Sequence, residues 1–190
     1  NNIKVRLNRS ELAVPGSRKD FFEKAARSEA DIIFLDLEDS VSLNQKLIAR
    51  TNVIEAVNEL DWREKTLSIR VNSHDTEFIN DDIEEIMKNT SSRLDLLMFP
   101  KVSSHKEVIK FDKLVTGYEK KFKRTKKIGF EIIIETTLGL ININQIALSS
   151  ERNESLHFGS ADFAASLGAK TTSIGGINHN YGVLDNNENK

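Results

Sequence analysis

The sequence predicts an α/β fold built on a parallel β-sheet. Three observations lead to this prediction: six strand-like apolar runs, helical patterns between successive runs, and strand interiors that are apolar on both faces. The second run shows the third feature best, because its first half, Ile32-Ile-Phe-Leu35, has no polar residue. The predicted strands cover residues 11–14, 31–38, 66–71, 94–99 and 128–135, and a last run that begins at 156 and ends at the turn Gly159-Ser160.

Five segments with helical patterns connect these strands. The first begins near Arg18 with Ser17 as its N-cap, and either Thr136 or Thr137 can cap the fifth. A further short helix is predicted over 161–169. The residues expected to face the sheet are, helix by helix, Phe21, Phe22, Ala25 and Ala26; Leu47, Ile54 and Val57; Ile79, Ile83 and Ile86; Val108, Phe111, Leu114, Tyr118 and Phe122; and Leu140, Ile143, Ile146 and Ala147.

Two architectures fit strict β-α alternation: a doubly wound open sheet and a (β/α)8 barrel. The pattern alone does not choose between them. A typical barrel needs about 250 residues, and only six β-α units are present here. We therefore expect residues 1–170 to form either an open-sheet domain or a partial barrel. Residues 171–190, rich in Asn and Gly, are expected to form a polar loop or tail.

Composition excludes several classes of function. The chain has 27 basic and 29 acidic residues and a net charge of −2, which gives no support for bulk binding to nucleic acid or to an anionic membrane. Cysteine is absent, so disulfides, thiolate metal sites and thiol nucleophiles are excluded. The N-terminal residues lack the apolar core of a signal peptide. These features predict a cytoplasmic protein.

Polar residues cluster where the predicted strands end. Each of them alone has an ordinary explanation, such as a helix cap or a surface ion pair. As a set on the carboxyl-terminal rim of a parallel sheet, they indicate an active site. These residues are Asp36, Glu38, Asp39, Arg70, Asn72, Lys101, Glu135 and Asp162.

The residue types on this rim predict a metal-assisted reaction of an oxo acid. Glu135 and Asp162 follow neighbouring strands, and two carboxylates with waters and substrate oxygens are the usual ligands of Mg²⁺. Arg70 offers a planar fork for a substrate carboxylate, and the backbone of Gly159-Ser-Ala161 offers N–H groups to the same anion. A metal beside such an arginine suits a 2-oxo or 2-hydroxy acid, which points to cleavage or formation of a C–C bond.

The sequence does not match the other common catalytic motifs. The four histidines have no zinc-site spacing, and no glycine-rich dinucleotide, P-loop or nucleophile-elbow motif is present. Lys101 is the only lysine near a strand end that could form a Schiff base, and it lies outside the apolar part of its strand.

At this point the residues resemble a known family, the HpcH/HpaI aldolase and citrate lyase β-subunit superfamily. The stretches 164–176 and 181–184 look most like its malyl-CoA lyase branch. The landmarks that carry the resemblance are Arg9-Ser10 with Val14-Pro-Gly-Ser-Arg18, Leu35-Asp-Leu-Glu-Asp-Ser-Val41, Arg70-Val-Asn72, Pro100-Lys-Val102, Ile134-Glu-Thr136 with Leu138-Gly-Leu140, and Phe158-Gly-Ser-Ala-Asp162.

The resemblance implies a (β/α)8 TIM barrel of the citrate lyase β type and a homo-oligomer, a trimer or hexamer. It also implies a lyase that uses Mg²⁺, with Mn²⁺ as the alternative ion. The substrate would be a 3-hydroxyacyl-CoA such as L-malyl-CoA or β-methylmalyl-CoA, and the products glyoxylate or another 2-oxo acid and an acyl-CoA.

The resemblance also implies roles for particular residues. Glu135 and Asp162 would ligate the metal, and Arg70 would hold the oxo acid. Glu38 and Asp39 would act through waters in catalysis. Arg18 would lie near the CoA phosphates.

Members of this family run well past residue 190, so this chain resembles the earlier part of such an enzyme. We expect two further strands and a C-terminal region to be missing. The first and sixth strands would then be open edges, and the barrel interior would be half uncovered. Alternatives in the same class are a citrate lyase β subunit, a citramalyl-CoA lyase and a malyl-CoA thioesterase. A non-catalytic remnant that binds an oxo acid or CoA is the alternative from another class.

Overall fold

Residues 6–169 are described by the computed structural model, and they form a six-stranded parallel sheet with helices between successive strands. All six predicted strands are confirmed. The strands are β1 (Glu11–Pro15), β2 (Ile32–Asp36), β3 (Thr66–Arg70), β4 (Leu96–Phe99), β5 (Gly129–Ile134) and β6 (Asn153–Phe158). The helices are α1 (Lys19–Arg27), α2 (Lys46–Glu59), α3 (Ile79–Asn89), α4 (His105–Lys121), α5 (Thr137–Ile141), α6 (Ile143–Ala147) and α7 (Ser160–Ser166). A 3-10 turn, Leu43–Gln45, leads into α2.

The strand order decides between the two architectures. The order is β1-β2-β3-β4-β5-β6, and every adjacent pair is parallel. A doubly wound sheet reverses its order at a switch point, whereas the strands of a (β/α) barrel follow one another in chain order. The sheet is therefore six consecutive strands of the barrel type.

Side chains link the first and last strands of this sheet. Within residues 6–169, β1 pairs only with β2 and β6 only with β5, so both have a free backbone edge as predicted. Nevertheless Nδ1 of His157 on β6 lies 3.4 Å from Oε2 of Glu11 on β1. Arg6, just before β1, donates from Nε to Oε2 of Glu154 at 2.8 Å. The sheet must curve strongly to bring these edges together.

Successive side chains of each strand alternate between the helices and the inner side of the curved sheet. On β4, Leu97 and Phe99 belong to the main apolar core, and the Phe99 ring stacks on Phe111 of α4 with centroids 4.2 Å apart. Leu96 and Met98 are 1% exposed but lie outside that core, on the inner side. The inner face of β4 is therefore covered.

The orientation of α2 differs from the prediction. Leu47 was expected to face the sheet, but its exposed fraction is 65%. Two buried cations turn the helix: Lys46 donates from Nζ to the carbonyl oxygens of Leu37 and Glu38, at 2.7 and 2.6 Å, and Arg50 donates from Nε to Asp82 at 2.7 Å. The periodicity of a sequence takes only apolar residues into account. It therefore cannot predict that the hydrogen bonds of Lys46 and Arg50 set the orientation of this helix.

The start of α1 and the interior of the predicted fifth helix also differ from the prediction. Arg18, not Ser17, occupies the N-cap position of α1, and no side chain caps it. Thr136 does cap α5, accepting from the Gly139 N–H. The predicted fifth helix is two short helices, α5 and α6, and Leu140 is 43% exposed instead of inward. The close approach of Gly139 to the Val102 carbonyl oxygen turns Gly139, and not Leu140, toward the sheet.

The remaining helix predictions concern α3, α4 and the chain end. The predicted inner residues of α3, Ile79, Ile83 and Ile86, are buried as expected. Those of α4 are buried or packed against the core. Among residues 6–169, no helix combines the length and the apolar character that crossing a bilayer demands. The predicted tail, 171–190, lies outside the described residues, so the boundary at 170 stays a prediction.

Alanine substitutions at Ile83 and Leu47 are expected to have very different effects on stability. Ile83 is fully buried against the core, so its truncation leaves a cavity and costs about 2–5 kcal/mol. Leu47→Ala removes a largely exposed side chain and changes the free energy of unfolding by about 0.5 kcal/mol or less. Urea denaturation of both variants measures this. Equal losses would contradict the observed rotation of α2.

Candidate active site

The carboxyl-terminal edge of the sheet gathers the polar residues that follow five neighbouring strands. Asp36 ends β2, Arg70 ends β3 and Lys101 follows β4. Glu135 directly follows β5, and Asp162 lies in the first turn of α7, after β6. The parallel, in-order arrangement of the strands brings all of these side chains to one rim.

Arg70 is held in a fixed orientation by Asp36. Its Nε and Nη2 donate to the two oxygens of the Asp36 carboxylate, both at 2.7 Å, in a bidentate pair across the β2–β3 step. Burial alone would lower the pKa of Arg70, but the hydrogen bonds and charge of Asp36 outweigh it and raise that pKa. Nη1 points elsewhere and lies 3.4 Å from Oε2 of Glu38 and 3.9 Å from Oδ2 of Asp39. Arg70 is thus a permanent, oriented cation with one nitrogen outside the Asp36 pair.

Lys101 connects both halves of the rim. Its Nζ lies 2.5 Å from Oε1 of Glu38, 3.4 Å from Oδ1 of Asp39 and 3.6 Å from Oδ2 of Asp162. Its backbone N–H donates to Oε1 of Glu135 at 2.8 Å. This double role comes with a left-handed backbone, φ 56°, which is costly for a residue with a Cβ.

The charge state of Lys101 argues against Schiff-base chemistry. Burial would lower its pKa, but the hydrogen bond and charge of Glu38 outweigh burial and raise it above the ordinary lysine value. A Schiff-base nucleophile needs an unprotonated amine. Lys101 therefore acts as a fixed positive charge.

Glu135 is a buried acid whose surroundings disfavour its negatively charged form. Burial, and after it the negative charges of Asp162 and Glu38, raise the pKa of Glu135 to about 7, against the opposing hydrogen bond from Lys101. A Cβ on Gly159 would lie 2.4 Å from Oε2 of Glu135. Glycine is thus required at 159 for the Glu135 carboxylate to keep its position.

The donor set formed by Glu135 and Asp162 fits a divalent cation. Oδ2 of Asp162 is shielded from solvent and has no hydrogen-bond partner among residues 6–169. Two hard carboxylates that repel one another, one with an oxygen that accepts no hydrogen bond, can be neutralised by Mg²⁺, with waters and substrate oxygens completing its coordination.

Most of the site residues predicted from the sequence lie close together in the structure. Glu38, Asp39, Glu135 and Asp162 all contact Lys101, and Arg70 joins them through Glu38 and Asp39. Gly159 abuts Glu135, and Ser160 and Ala161 begin α7, whose first N–H groups have no partner within the helix.

Arg18 is the exception among the predicted site residues. It forms an ion pair with Asp20 at 2.7 Å and lies over the Phe21 ring. It has no ion pair with the acids of the rim among the described residues.

Asp36 and Lys101 are the two residues of the candidate site to which the sequence assigned no specific role. Both stand at predicted strand ends, which was the available signal. Their roles depend on partners 34 residues away in the chain, Arg70 for Asp36 and Glu135 for Lys101. Local patterns do not contain such pairings.

Comparison with known proteins gives consistent results. The HpcH/HpaI aldolase/citrate lyase family model matches residues 9–176. L-malyl-CoA/beta-methylmalyl-CoA lyase of Cereibacter sphaeroides is 48% identical over 180 residues, which are 95% of this chain and 57% of that protein. Citrate lyase subunit beta of Leuconostoc mesenteroides subsp. cremoris is 32% identical, over 85% of this chain and 53% of that protein. The chain therefore spans little more than half the length of these relatives.

A solved structure is also similar to this chain. Protein CitE from Mycobacterium tuberculosis, in complex with magnesium, acetoacetate and coenzyme A, superimposes with a TM-score of 0.68 at 26% identity. The match covers 88% of this chain and 55% of that one.

Proposed function

Since the chain belongs to the HpcH/HpaI aldolase/citrate lyase family, we propose that its protein is a Mg²⁺-dependent carbon–carbon lyase acting on a 3-hydroxyacyl-CoA. L-malyl-CoA or β-methylmalyl-CoA is the proposed substrate, and glyoxylate and an acyl-CoA are the proposed products. The supporting observation is the convergence on one rim of the Glu135 and Asp162 carboxylates and one oriented guanidinium, that of Arg70. A 2-oxo acid needs both, a metal for its oxo group and a cation for its carboxylate.

Glu135 and Asp162 would hold the metal. Bound Mg²⁺, or Mn²⁺ in its place, supplies Lewis-acid stabilisation of the oxyanion that develops when the C–C bond breaks or forms. The N–H of Lys101 holds Oε1 of Glu135, which leaves Oε2 for the ion. Gly159 gives that oxygen the room it needs.

Arg70 would bind the carboxylate of the oxo acid. Asp36 occupies Nε and Nη2 of Arg70, so Nη1 is the donor left for the substrate. The N–H groups of Ser160 and Ala161 are further donors proposed for the same anion. The Gly159 N–H, which the sequence also offered, instead donates to the Ile134 carbonyl oxygen at 3.1 Å. Because Asp36 fixes the guanidinium, this binding costs little side-chain entropy.

Glu38 and Asp39 are proposed to act in catalysis through water. Lys101 neutralises part of their charge, which would otherwise repel an anionic substrate approaching Arg70. Arg18 is proposed to meet the CoA phosphates. It is half-exposed, at 51% for its side chain, so its pairing with Asp20 is weak enough to be exchanged for a phosphate. Assembly into a homo-oligomer, a trimer or hexamer, is also part of the proposal.

The test is a condensation assay with the purified natural protein that contains these residues. Glyoxylate with acetyl-CoA or propionyl-CoA should give a hydroxyacyl-CoA product by chromatography, with activity lost in EDTA and restored by Mg²⁺. Mg²⁺-dependent binding of the oxo acid in calorimetry without any turnover would instead identify a non-catalytic binding protein. Turnover that is unaffected by EDTA would overturn the metal-dependent mechanism.

A citrate lyase β subunit is the second candidate, and the 32% identity to that subunit supports it. This enzyme class differs in the thioester it uses, a citryl group on a carrier protein. Comparing turnover of CoA thioesters and carrier-protein thioesters separates the two. A clear preference for the carrier thioester would favour this second candidate.

Gly159→Ala is expected to reduce turnover by about 100-fold, because the new Cβ displaces the Glu135 carboxylate, and misplacements of this size have such effects. The variant should also need more Mg²⁺ for half-maximal activity. Gly117→Ala is the matched control: its Cβ meets no atom within 4 Å, so activity should stay unchanged while helix α4 gains about 0.5–1 kcal/mol. A fully active Gly159→Ala variant would show that Glu135 does not need its observed position.

A further inference from the structure

A second cluster of ionisable side chains lies on the inner side of the sheet, away from the rim. Glu11 of β1, Glu131 of β5 and His157 of β6 each offer one ligand atom, and these atoms lie within 4.8 Å of one another. Among residues 6–169 this is the one group of three such residues that meets this distance. The metal-assisted reaction proposed above does not use it.

The cluster is distinct from the Glu135–Asp162 pair. Glu131 and Glu135 share one face of β5 because they are four residues apart, and a strand rises by about 3.3 Å per residue. The two carboxylates are therefore about 13 Å apart along the strand. One ion cannot contact both.

The imidazole of His157 lies between the two carboxylates. Its Nδ1 is 3.4 Å from Oε2 of Glu11, and its Nε2 is 3.3 Å from Oε1 of Glu131. Charge-assisted hydrogen bonds are normally shorter, about 2.7–2.9 Å. Ser155 Oγ approaches both Nε2 of His157, at 2.9 Å, and Oε1 of Glu131, at 3.3 Å. The three ligand groups are thus close but not tightly bonded to one another.

Two carboxylate oxygens in the cluster have no partner. Oε2 of Glu131 and Oε1 of Glu11 are shielded from solvent, and neither forms a hydrogen bond within residues 6–169. The Glu131 residue is completely buried, and its only ion pair in the described chain is with His157. A buried carboxylate oxygen without a partner is costly, and an ion would satisfy it.

The local charge also favours a cation. Oε2 of Glu11 and Oε1 of Glu131 both approach the single imidazole of His157, at 3.4 and 3.3 Å. Two acids therefore face one imidazole. Imidazole and carboxylate together are ligands for Zn²⁺ and related transition ions, whereas Mg²⁺ prefers oxygen alone.

We propose that Glu11, Glu131 and His157 form a structural site for a divalent transition-metal ion of the Zn²⁺ type, which joins β1 to β6. Ligands about 2.1 Å from a tetrahedral Zn²⁺ ion lie about 3.4 Å from one another. The atoms of the cluster therefore need to close by about 1.4 Å at most. This takes rotation of the carboxylates and also of the imidazole, because Glu11 and Glu131 face its two different nitrogens. Bound there, the ion links side chains of β1, β5 and β6.

The test is a titration of metal-stripped protein with Co²⁺, in the presence of excess Mg²⁺ that occupies any site of oxygen ligands alone. One equivalent should bind, with the visible absorption bands of a Co²⁺ ion that has nitrogen and oxygen ligands, and Zn²⁺ should displace it. The same equivalent should remain in a Glu135→Gln, Asp162→Asn double variant. That arm makes the result independent of the proposed lyase activity.

His157→Ala and Glu131→Gln should weaken Co²⁺ binding by more than about 10-fold, since even the partners of metal ligands have effects of that size. His74→Ala is the control, because it removes an exposed histidine and should bind Co²⁺ normally. If Glu131→Gln does not fold, as judged by circular dichroism, Glu11→Gln at the start of β1 replaces it. Absence of the absorption bands in the wild-type protein, or bands unchanged in His157→Ala, would overturn the site.

Discussion

Replacing Glu135 with glutamine or Asp162 with asparagine is expected to lower Mg²⁺-dependent turnover by about 1,000-fold. Each change removes one of two protein carboxylates proposed to hold the ion. Lewis-acid stabilisation of a developing oxyanion is worth several kcal/mol, and about 4 kcal/mol corresponds to 1,000-fold in rate. The measurement is the condensation rate of the natural protein at saturating substrates over a range of Mg²⁺ concentrations.

The two variants should remain folded. Glu135 has a pKa raised to about 7 by burial and by Asp162 and Glu38, so the neutral glutamine removes charge repulsion at this position. The matched controls are Glu151→Gln and Asp81→Asn, which neutralise exposed acids outside the rim and should keep full turnover. Full activity of both Glu135→Gln and Asp162→Asn would contradict the proposed metal pair.

Asp95→Asn is expected to destabilise the protein by about 3–5 kcal/mol at neutral pH. Asp95 lies just before β4, and its carboxylate contacts Nη1 of Arg6 at 2.8 Å, Nη1 of Arg93 at 3.0 Å and Nζ of Lys126 at 2.6 Å. It also accepts from the Leu67 N–H at 2.9 Å. Its side chain is 5% exposed, and breaking a buried ion pair from one side leaves the cations uncompensated.

The same residue predicts a pH dependence of stability. Burial would raise the pKa of Asp95, but the hydrogen bond and charge of Lys126, with Arg6 and the Leu67 N–H, hold it below the ordinary value. A group with a depressed folded-state pKa contributes stability that is fully present above its unfolded pKa, about 3.9. That contribution disappears as pH falls through the folded-state pKa.

The stability difference between wild type and Asp95→Asn should therefore be constant near neutral pH and become smaller below about pH 4. Urea denaturation at several pH values measures it. Asp81→Asn is the matched control, because Asp81 is an exposed acid in the first turn of α3 and should cost about 1 kcal/mol or less. A difference that grows as pH falls would show that Asp95 is not the stabilising anion.

Much of the fold and part of the site follow from local patterns. Alternating apolar runs and helical stripes predict six strands and their connecting helices, because burial on two sheet faces or one helix face has its own period. Polar residues just after these strands predict the rim, since parallel strands end on the same side. Glu135, Asp162 and Arg70 are recognisable for this reason.

The polar anchors of the helices and of the site are not recognisable in this way. Leu47 and Leu140 satisfy the apolar pattern and yet lie exposed, because Lys46, Arg50 and Gly139 set the position of their helices. These effects depend on residues that are distant in the chain.

The sequence by itself determined the β-α alternation, the family and the chemical types available on the rim. Only the tertiary structure decided the strand order, the Asp36–Arg70 pair, the double role of Lys101 and the meeting of Glu11, Glu131 and His157. Glu11 and His157 stand at opposite ends of the described chain and meet only because the sheet curves. Periodicity records which face a residue takes in its own element, whereas the curvature of the sheet and the pairing of distant charges arise from all the elements packed together.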